Sequence, residues 1–319
     1  MFAQPFFCAE PWRRRPGSYV AFEASLRGCR EILDGQHDDL PTEAFYFNGS
    51  MAEIRSACSW QDALPPARGL SRGLRLAIAQ PLTFDASTVG GPASNARAEL
   101  FAPAGAGPFS AVVVLHGCDG VHWHERLWAQ QLTAWGYVAM IVDSFRPRGI
   151  STVCNHGMLV PPELQALDGF NAANYLRAQP NVGGEPIGVI GFSHGGWAVL
   201  KAVLADMAGQ ASVKPFVAAV AFYPGCDPSR SALTTDTLIL IGEADDWTPV
   251  DRCARWRDAV ERNGHSLQMK AYPGALHSFD APAMPHTFAG HYIGRDPEAA
   301  ADALAETRRF FHNHLALRR

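Results

Sequence analysis

The sequence predicts a mostly parallel, doubly wound α/β sheet with helices on both faces, plus an amino-terminal extension. Three observations carry this prediction. From about residue 96, short apolar runs alternate with longer amphipathic stretches joined by short connections, the pattern of strands and crossover helices. Ala111–Leu115 (AVVVL) is an uninterrupted, largely β-branched run, as a strand covered on both faces requires. Residues 187–198 (IGVIGFSHGGWA) end an apolar run at Ser193 between glycines and continue with a helical pattern, a strand reversing into a helix within one residue.

Residues 1–70 differ from the rest. They carry six prolines and only short periodic pieces such as 19–33, yet they are too aromatic for a disordered tail. They are expected to pack on a main domain spanning 71–319. Residues 74–79 and 96–102 read as edge strands separated by a loop over 85–95. The central strand Ala111–Leu115 runs into His116-Gly117-Cys118-Asp119-Gly120. Next come a helix over 127–135, a strand over 137–142 and a helix over 162–179, followed by the strand and helix around Ser193. Strands over 216–222 and 237–241, a helix over 250–262, a last strand Leu267–Tyr272 and a closing helix over 297–317 complete the pattern. In such a sheet ligands bind at the carboxyl ends of the strands.

Composition narrows the function. The chain has 319 residues, 47% hydrophobic and 18% charged, enough for a sizeable core. A net charge of -4 and a pI near 6.3 give no basic field to gather nucleic acid. No apolar run approaches the roughly 20 residues of a membrane span, and the first residues lack the form of an export signal, so a cytoplasmic protein is expected. Seven cysteines, an odd number with no CxxC pair, read as reduced thiols. His122, His124 and Glu125 are metal-ligand types without a complete set, so neither metal nor organic cofactor is expected.

Around Ser193, the positions two before and two after are crowded by backbone, and Gly191 and Gly195 occupy them. A serine hydroxyl is a poor nucleophile at neutral pH; acyl transfer needs a histidine to take its proton and a carboxylate to fix that histidine. Both candidates lie downstream at strand ends. Gly242-Glu243-Ala244-Asp245-Asp246-Trp247-Thr248-Pro249 offers two aspartates, and Pro273-Gly274-Ala275-Leu276-His277 offers the histidine. The order Ser, Asp, His is that of the α/β-hydrolase fold.

Taken together, the strand-HG loop (112–120), Gly136-Tyr137-Val138 leading to Asp143, the GFSHGG turn, the G-x-x-D-x-x-x-P segment and PGALHSF resemble the dienelactone hydrolase family, from about residue 96 to the carboxyl terminus. In that family the carboxylate stands three residues after the glycine, which selects Asp245 over Asp246, and the histidine carries over onto His277. The sequence departs from the members that name the family in carrying serine, not cysteine, at the turn. The resemblance therefore implies a serine hydrolase acting on small carboxylic esters or lactones. In this fold the oxyanion is bound by the amide after the nucleophile and one from the loop after the central strand, here His194 and Cys118. Arg146 and Arg148 are candidates for clamping a substrate carboxylate, and Trp123 and Trp197 for apolar pocket walls. A peptidase or C-C bond hydrolase on the same residues, or a non-catalytic ligand-binding protein, are the competing readings.

Overall fold

The structure is a computed structural model and describes residues 21–36, 80–85, 95–182, 186–211 and 213–316. Its centre is an eight-stranded sheet in the order β1-β2-β4-β3-β5-β6-β7-β8. The strands are β1 (Gln80–Asp85), β2 (Asn95–Phe101), β3 (Ala111–Leu115), β4 (Val138–Asp143), β5 (Ile187–Phe192), β6 (Ala218–Phe222), β7 (Asp236–Gly242) and β8 (Leu267–Tyr272). β1 and β2 pair antiparallel, as do β2 and β4, and the remaining neighbours pair parallel. The chain leaves β3 for β4 on one side and returns to β5 on the other. That reversal places the carboxyl ends of β3 and β5 at the switch point where such sheets bind ligands.

Helices cover both faces, as their apolar stripes require. In chain order the α-helices of the described residues are α1 (Phe22–Leu33), α2 (Trp123–Ala134), α3 (Pro162–Arg177), α4 (His194–Ala202), α5 (Ala205–Ala211), α6 (Val250–Ala259) and α7 (Pro297–Leu315). Every residue of β3, β4, β5 and β6 is buried. Glycine and alanine in the central strands let helices come close. At Gly188 a Cβ would stand 3.0 Å from both Phe311 and Leu315 of α7, tighter than packing tolerates. Phe192, Phe222 and Trp128 form an aromatic cluster under the strand ends, with ring centroids 5.1 to 5.5 Å apart. Removing one such ring costs about 3–5 kcal/mol.

The expected strands and helices from residue 96 onward are found, with ends shifted by a few residues. The expected strand 74–79 lies outside the described residues, and the edge position is taken by β1. Of the expected extension, only 21–36 is described, and it contains α1. The short helix α5 and a hairpin of β9 (His286–Phe288) and β10 (His291–Ile293) were not anticipated.

One expectation is overturned. Cysteines read as reduced thiols form two disulfides, Cys118–Cys154 and Cys226–Cys253, while Cys29 is free; Cys8 and Cys58 lie outside the described residues. Both bridges close loops at the carboxyl ends of strands. The first ties the loop after β3 to the segment after β4, and the second ties the loop after β6 to α6.

Candidate active site

The turn between β5 and α4 is shaped by backbone collision. A Cβ on Gly191 would run into the carbonyl of Gly195, and one on Gly195 into the carbonyls of Leu115 and His116. With both glycines in place, the helix starts directly over the end of β3. Ser193 is left at φ 54°, ψ -111°, a conformation that costs an ordinary side chain about 1–3 kcal/mol. Its amide is fixed by the Phe222 carbonyl at 3.0 Å. As the first residue of α4, His194 has an amide that the helix has no carbonyl to receive.

The acid comes from the turn after β7. Asp245 is buried, and its Oδ1 accepts from the amides of Trp247 (2.9 Å) and Thr248 (2.8 Å). Its Oδ2 accepts from His277 Nδ1 at 2.7 Å. The Thr248 hydroxyl lies 2.8 Å from Oδ2 and 3.0 Å from the Tyr223 carbonyl, and donates to one at a time. Burial opposes ionisation of Asp245, but the hydrogen bond and charge of His277 and the donors of Thr248 outweigh it and hold the carboxyl below its ordinary value. Asp246, the rival by sequence, points away and pairs with His291 at 3.3 Å.

His277 follows β8. It reaches Asp245 because the two loops touch: a Cβ on Gly242 would collide with the Ala275 carbonyl, so only glycine lets them approach. The imidazole lies between aromatic rings, Tyr223 at 4.7 Å and Trp247 at 5.0 Å between centroids. With Nδ1 donating to Asp245, its Nε2 stands 2.9 Å from Ser193 Oγ as the acceptor of the hydroxyl proton. Hydroxyl, imidazole and carboxylate thus form one hydrogen-bonded line, drawn from positions 84 and 32 residues apart. Such a line can take a proton from the serine and return it to a leaving group.

The loop after β3 lies against this line: a Cβ on Gly117 would be 4.0 Å from Ser193 Cβ. Long-range bonds hold it. The Cys118 carbonyl accepts from Val153 N at 2.7 Å, beside the Cys118–Cys154 bridge. Gln165, fully buried on α3, donates to the His116 carbonyl at 3.0 Å and meets His194 Nδ1 at 2.7 Å. Burial drives the His194 imidazole down to about pKa 4, so it stays neutral and serves as structure.

Behind the loop runs a buried charged chain. Glu125 accepts from the amides of Gly117 (3.4 Å) and His122 (2.9 Å). His124 lies 3.8 Å from Glu125 and hydrogen bonds Asp280 at 2.9 Å, and Asp280 also accepts from Trp128 Nε1 and the Tyr223 hydroxyl. Burial would make His124 neutral, but the charge and hydrogen bond of Asp280, with Glu125 behind, raise it to about pKa 10.

The remaining sequence candidates fall elsewhere. Arg148, expected as a substrate clamp, is engaged by Asp168, with bonds of 2.7 and 2.9 Å, and by the Ser144 carbonyl. Arg146 is exposed on the same turn, its amide held by Asp143. Trp197, one turn along α4, donates to Asp227 at 2.8 Å, and Trp123 opens α2 edge-on to His124. Sequence reasoning missed Thr248, Tyr223, Gln165 and Asp280. Thr248 and Gln165 stand in segments already singled out, and Tyr223 and Asp280 one residue beyond such segments, but bonds to partners distant along the chain leave no local spacing to read.

Residues 96–315, well over half of the chain, match the model of the dienelactone hydrolase family. The chain belongs to the dienelactone hydrolase family. A lactone is an internal ester, so this member of the family is a carboxylic ester hydrolase. Solved structures share the fold. A dienelactone hydrolase-like promiscuous phosphotriesterase from metagenomic libraries matches with TM-score 0.61 at 21% identity, over 75% of this chain and 99% of that one. A protein described as a putative dienelactone hydrolase from Klebsiella pneumoniae matches with TM-score 0.57 at 22% identity, over 73% and 98%. An esterase from Thermogutta terrifontis matches with TM-score 0.53 at 19% identity, over 77% and 97%. Among the described residues, no helix of this family member is long and apolar enough to cross a membrane.

Proposed function

We propose that this member of the dienelactone hydrolase family cleaves small carboxylic esters or lactones through Ser193, His277 and Asp245. The supporting observation is the hydrogen-bonded line from Ser193 Oγ through both nitrogens of His277 to Asp245, at 2.9 and 2.7 Å. Ser193 attacks the ester carbonyl as His277 Nε2 takes its proton. The oxyanion is received by the amides of His194 and Cys118. His277 returns the proton to the leaving alcohol, and water, deprotonated by the same nitrogen, then releases the acid from the acyl-enzyme. Asp245 stays ionised and keeps the Nδ1–H tautomer. No step calls on a metal or organic cofactor. Trp247, with the exposed Phe288 at 6.1 Å, gives the histidine side an apolar face that suits an uncharged acyl or alcohol group.

The two disulfides favour an oxidising compartment over the cytoplasmic placement expected from the sequence. An esterase 2 from Thermogutta terrifontis sharing the fold is described as phosphorylated by paraoxon, which suggests the probe. Wild type should hydrolyse a short-chain nitrophenyl ester and gain one phosphoryl adduct on Ser193 from paraoxon. Ser193→Ala should lose both, with turnover down by about 10³-fold or more. Undiminished turnover in that variant would remove Ser193 as the nucleophile.

A further inference from the structure

A groove of about 430 Å³ lies between α2 and α7, lined by none of Ser193, Asp245 and His277. Its size falls within the roughly 300–1,000 Å³ of small-ligand pockets. Leu127 and Trp128 of α2, with Trp135 just after it, form one wall, and α7 forms the other. On α7 the stripe Ala300, Leu304, Arg308, His312 repeats every four residues, so its members stack along one face and turn from apolar to polar and basic along the groove. Arg308 is exposed and makes no ion pair among the described residues. Arg309, beside it, is held by Glu306.

The groove contains one carboxylate among its lining residues, Asp280, and that group is already engaged. His124 and Trp128 bond one of its oxygens and Tyr223 bonds the other, at 2.7 to 2.9 Å. An incoming anion therefore meets a compensated Asp280 at one end and, at the other, a guanidinium with no ion pair among the described residues. Apolar walls with a cationic mouth complement a hydrocarbon body ending in a negative group. Arg308 presents the planar fork that grips a carboxylate with two hydrogen bonds.

We propose that the groove between α2 and α7 is a second ligand site, separate from the triad, that binds a carboxylate carrying a medium-length hydrocarbon chain. The chain lies between Trp128 and Leu304, and the carboxylate is held by Arg308. The site stands whether or not the hydrolytic mechanism is as given above, because it uses none of its residues. Its floor nevertheless lies close to the triad. The His124 ring is 4.6 Å from Phe192, which precedes Ser193, and the Tyr223 ring that bonds Asp280 lies against His277.

The test is calorimetric titration of the full chain with decanoate, decanol and decylamine, each below its aggregation limit. Decanoate should bind with one-to-one stoichiometry and decylamine should not bind. Arg308→Glu should weaken decanoate at least tenfold. Ala301→Trp, at an exposed lining position where the larger ring fills the groove without entering the core, should abolish binding while leaving ester turnover unchanged. Absence of decanoate binding to wild type would overturn the proposal. So would equal affinity for decylamine, which marks apolar adsorption only, or binding that neither variant changes, which places the ligand elsewhere.

Discussion

The turn around Ser193 and the loop around Cys118 lie against each other, yet they are held in shape by different means. The turn is a local object. Its form follows from two glycines whose replacement would drive a methyl group into backbone, and from one strained serine between them. The loop is held from a distance. Its restraints come from Cys154, Val153, Gln165 and Glu125, which stand 8 to 49 residues away along the chain. Substitution should therefore have different consequences in the two regions. The turn should be intolerant at single positions, and the loop should be tolerant at each position but sensitive to its cross-links.

Gly195→Ala puts this to its severest test. The added methyl meets the Leu115 and His116 carbonyls, which cannot yield without moving the end of β3. We expect a stability loss of about 3 kcal/mol and, from displacement of Ser193, a roughly 100-fold fall in kcat. Gly117→Ala in the facing loop is the control. There the nearest atom is a side-chain oxygen of Asp119 at 3.2 Å rather than backbone, so stability should change by less than about 1 kcal/mol. Denaturant melts and steady-state kinetics on the two variants decide the matter. Equal tolerance at both positions would remove the distinction between the two regions.

The same distinction explains what could be read from the sequence. The strands around the turn, the order Ser193, Asp245, His277 and their strand-end positions were legible because hydrophobic periodicity and glycine spacing are local signals. Asp246 could be set aside only through the family resemblance, since nothing in Asp245-Asp246 itself says which carboxylate faces inward. The disulfides were hidden by counting. Seven cysteines over the whole chain looked unpaired, whereas the four from residue 96 onward form two bridges. The ion pair of Arg148 was not legible because its partner Asp168 stands on α3, beyond the reach of any loop pattern. The hairpin β9–β10 escaped because strands of three residues show too little alternation to detect.

Cutting the Cys118–Cys154 link should have an intermediate effect. In the double variant Cys118→Ala/Cys154→Ala the denatured chain regains freedom, with a loss of about 2 kcal/mol. The Cys118 amide also loses a restraint, so under the proposed mechanism, in which that amide receives the oxyanion, kcat should fall about tenfold with KM less affected. A kcat equal to wild type, measured on folded protein, would mean that the bonds to Val153, Gln165 and Glu125 hold the loop without the bridge.

The last expected effect is on the pH dependence of stability and concerns the charge that joins the two regions from behind. His124 is held near pKa 10, against an ordinary 6.5, by Asp280 and Glu125, with the Tyr223 hydroxyl and Trp128 completing the shell of Asp280. Because the folded value lies above the unfolded one, its stabilisation is complete below about pH 6.5 and is lost as pH rises toward about 10. In that interval the folded chain holds a proton that the unfolded chain has released, so stability should decline by at most about 1.4 kcal/mol per pH unit. His124→Gln keeps a hydrogen-bond donor for Asp280 but cannot titrate. Denaturation measured at about pH 7 and about pH 9 should therefore show a shallower decline in the variant than in wild type, whatever their absolute stabilities. Parallel declines would mean that His124 is neutral in the folded chain and that the link between Glu125 and Asp280 is made by hydrogen bonds alone.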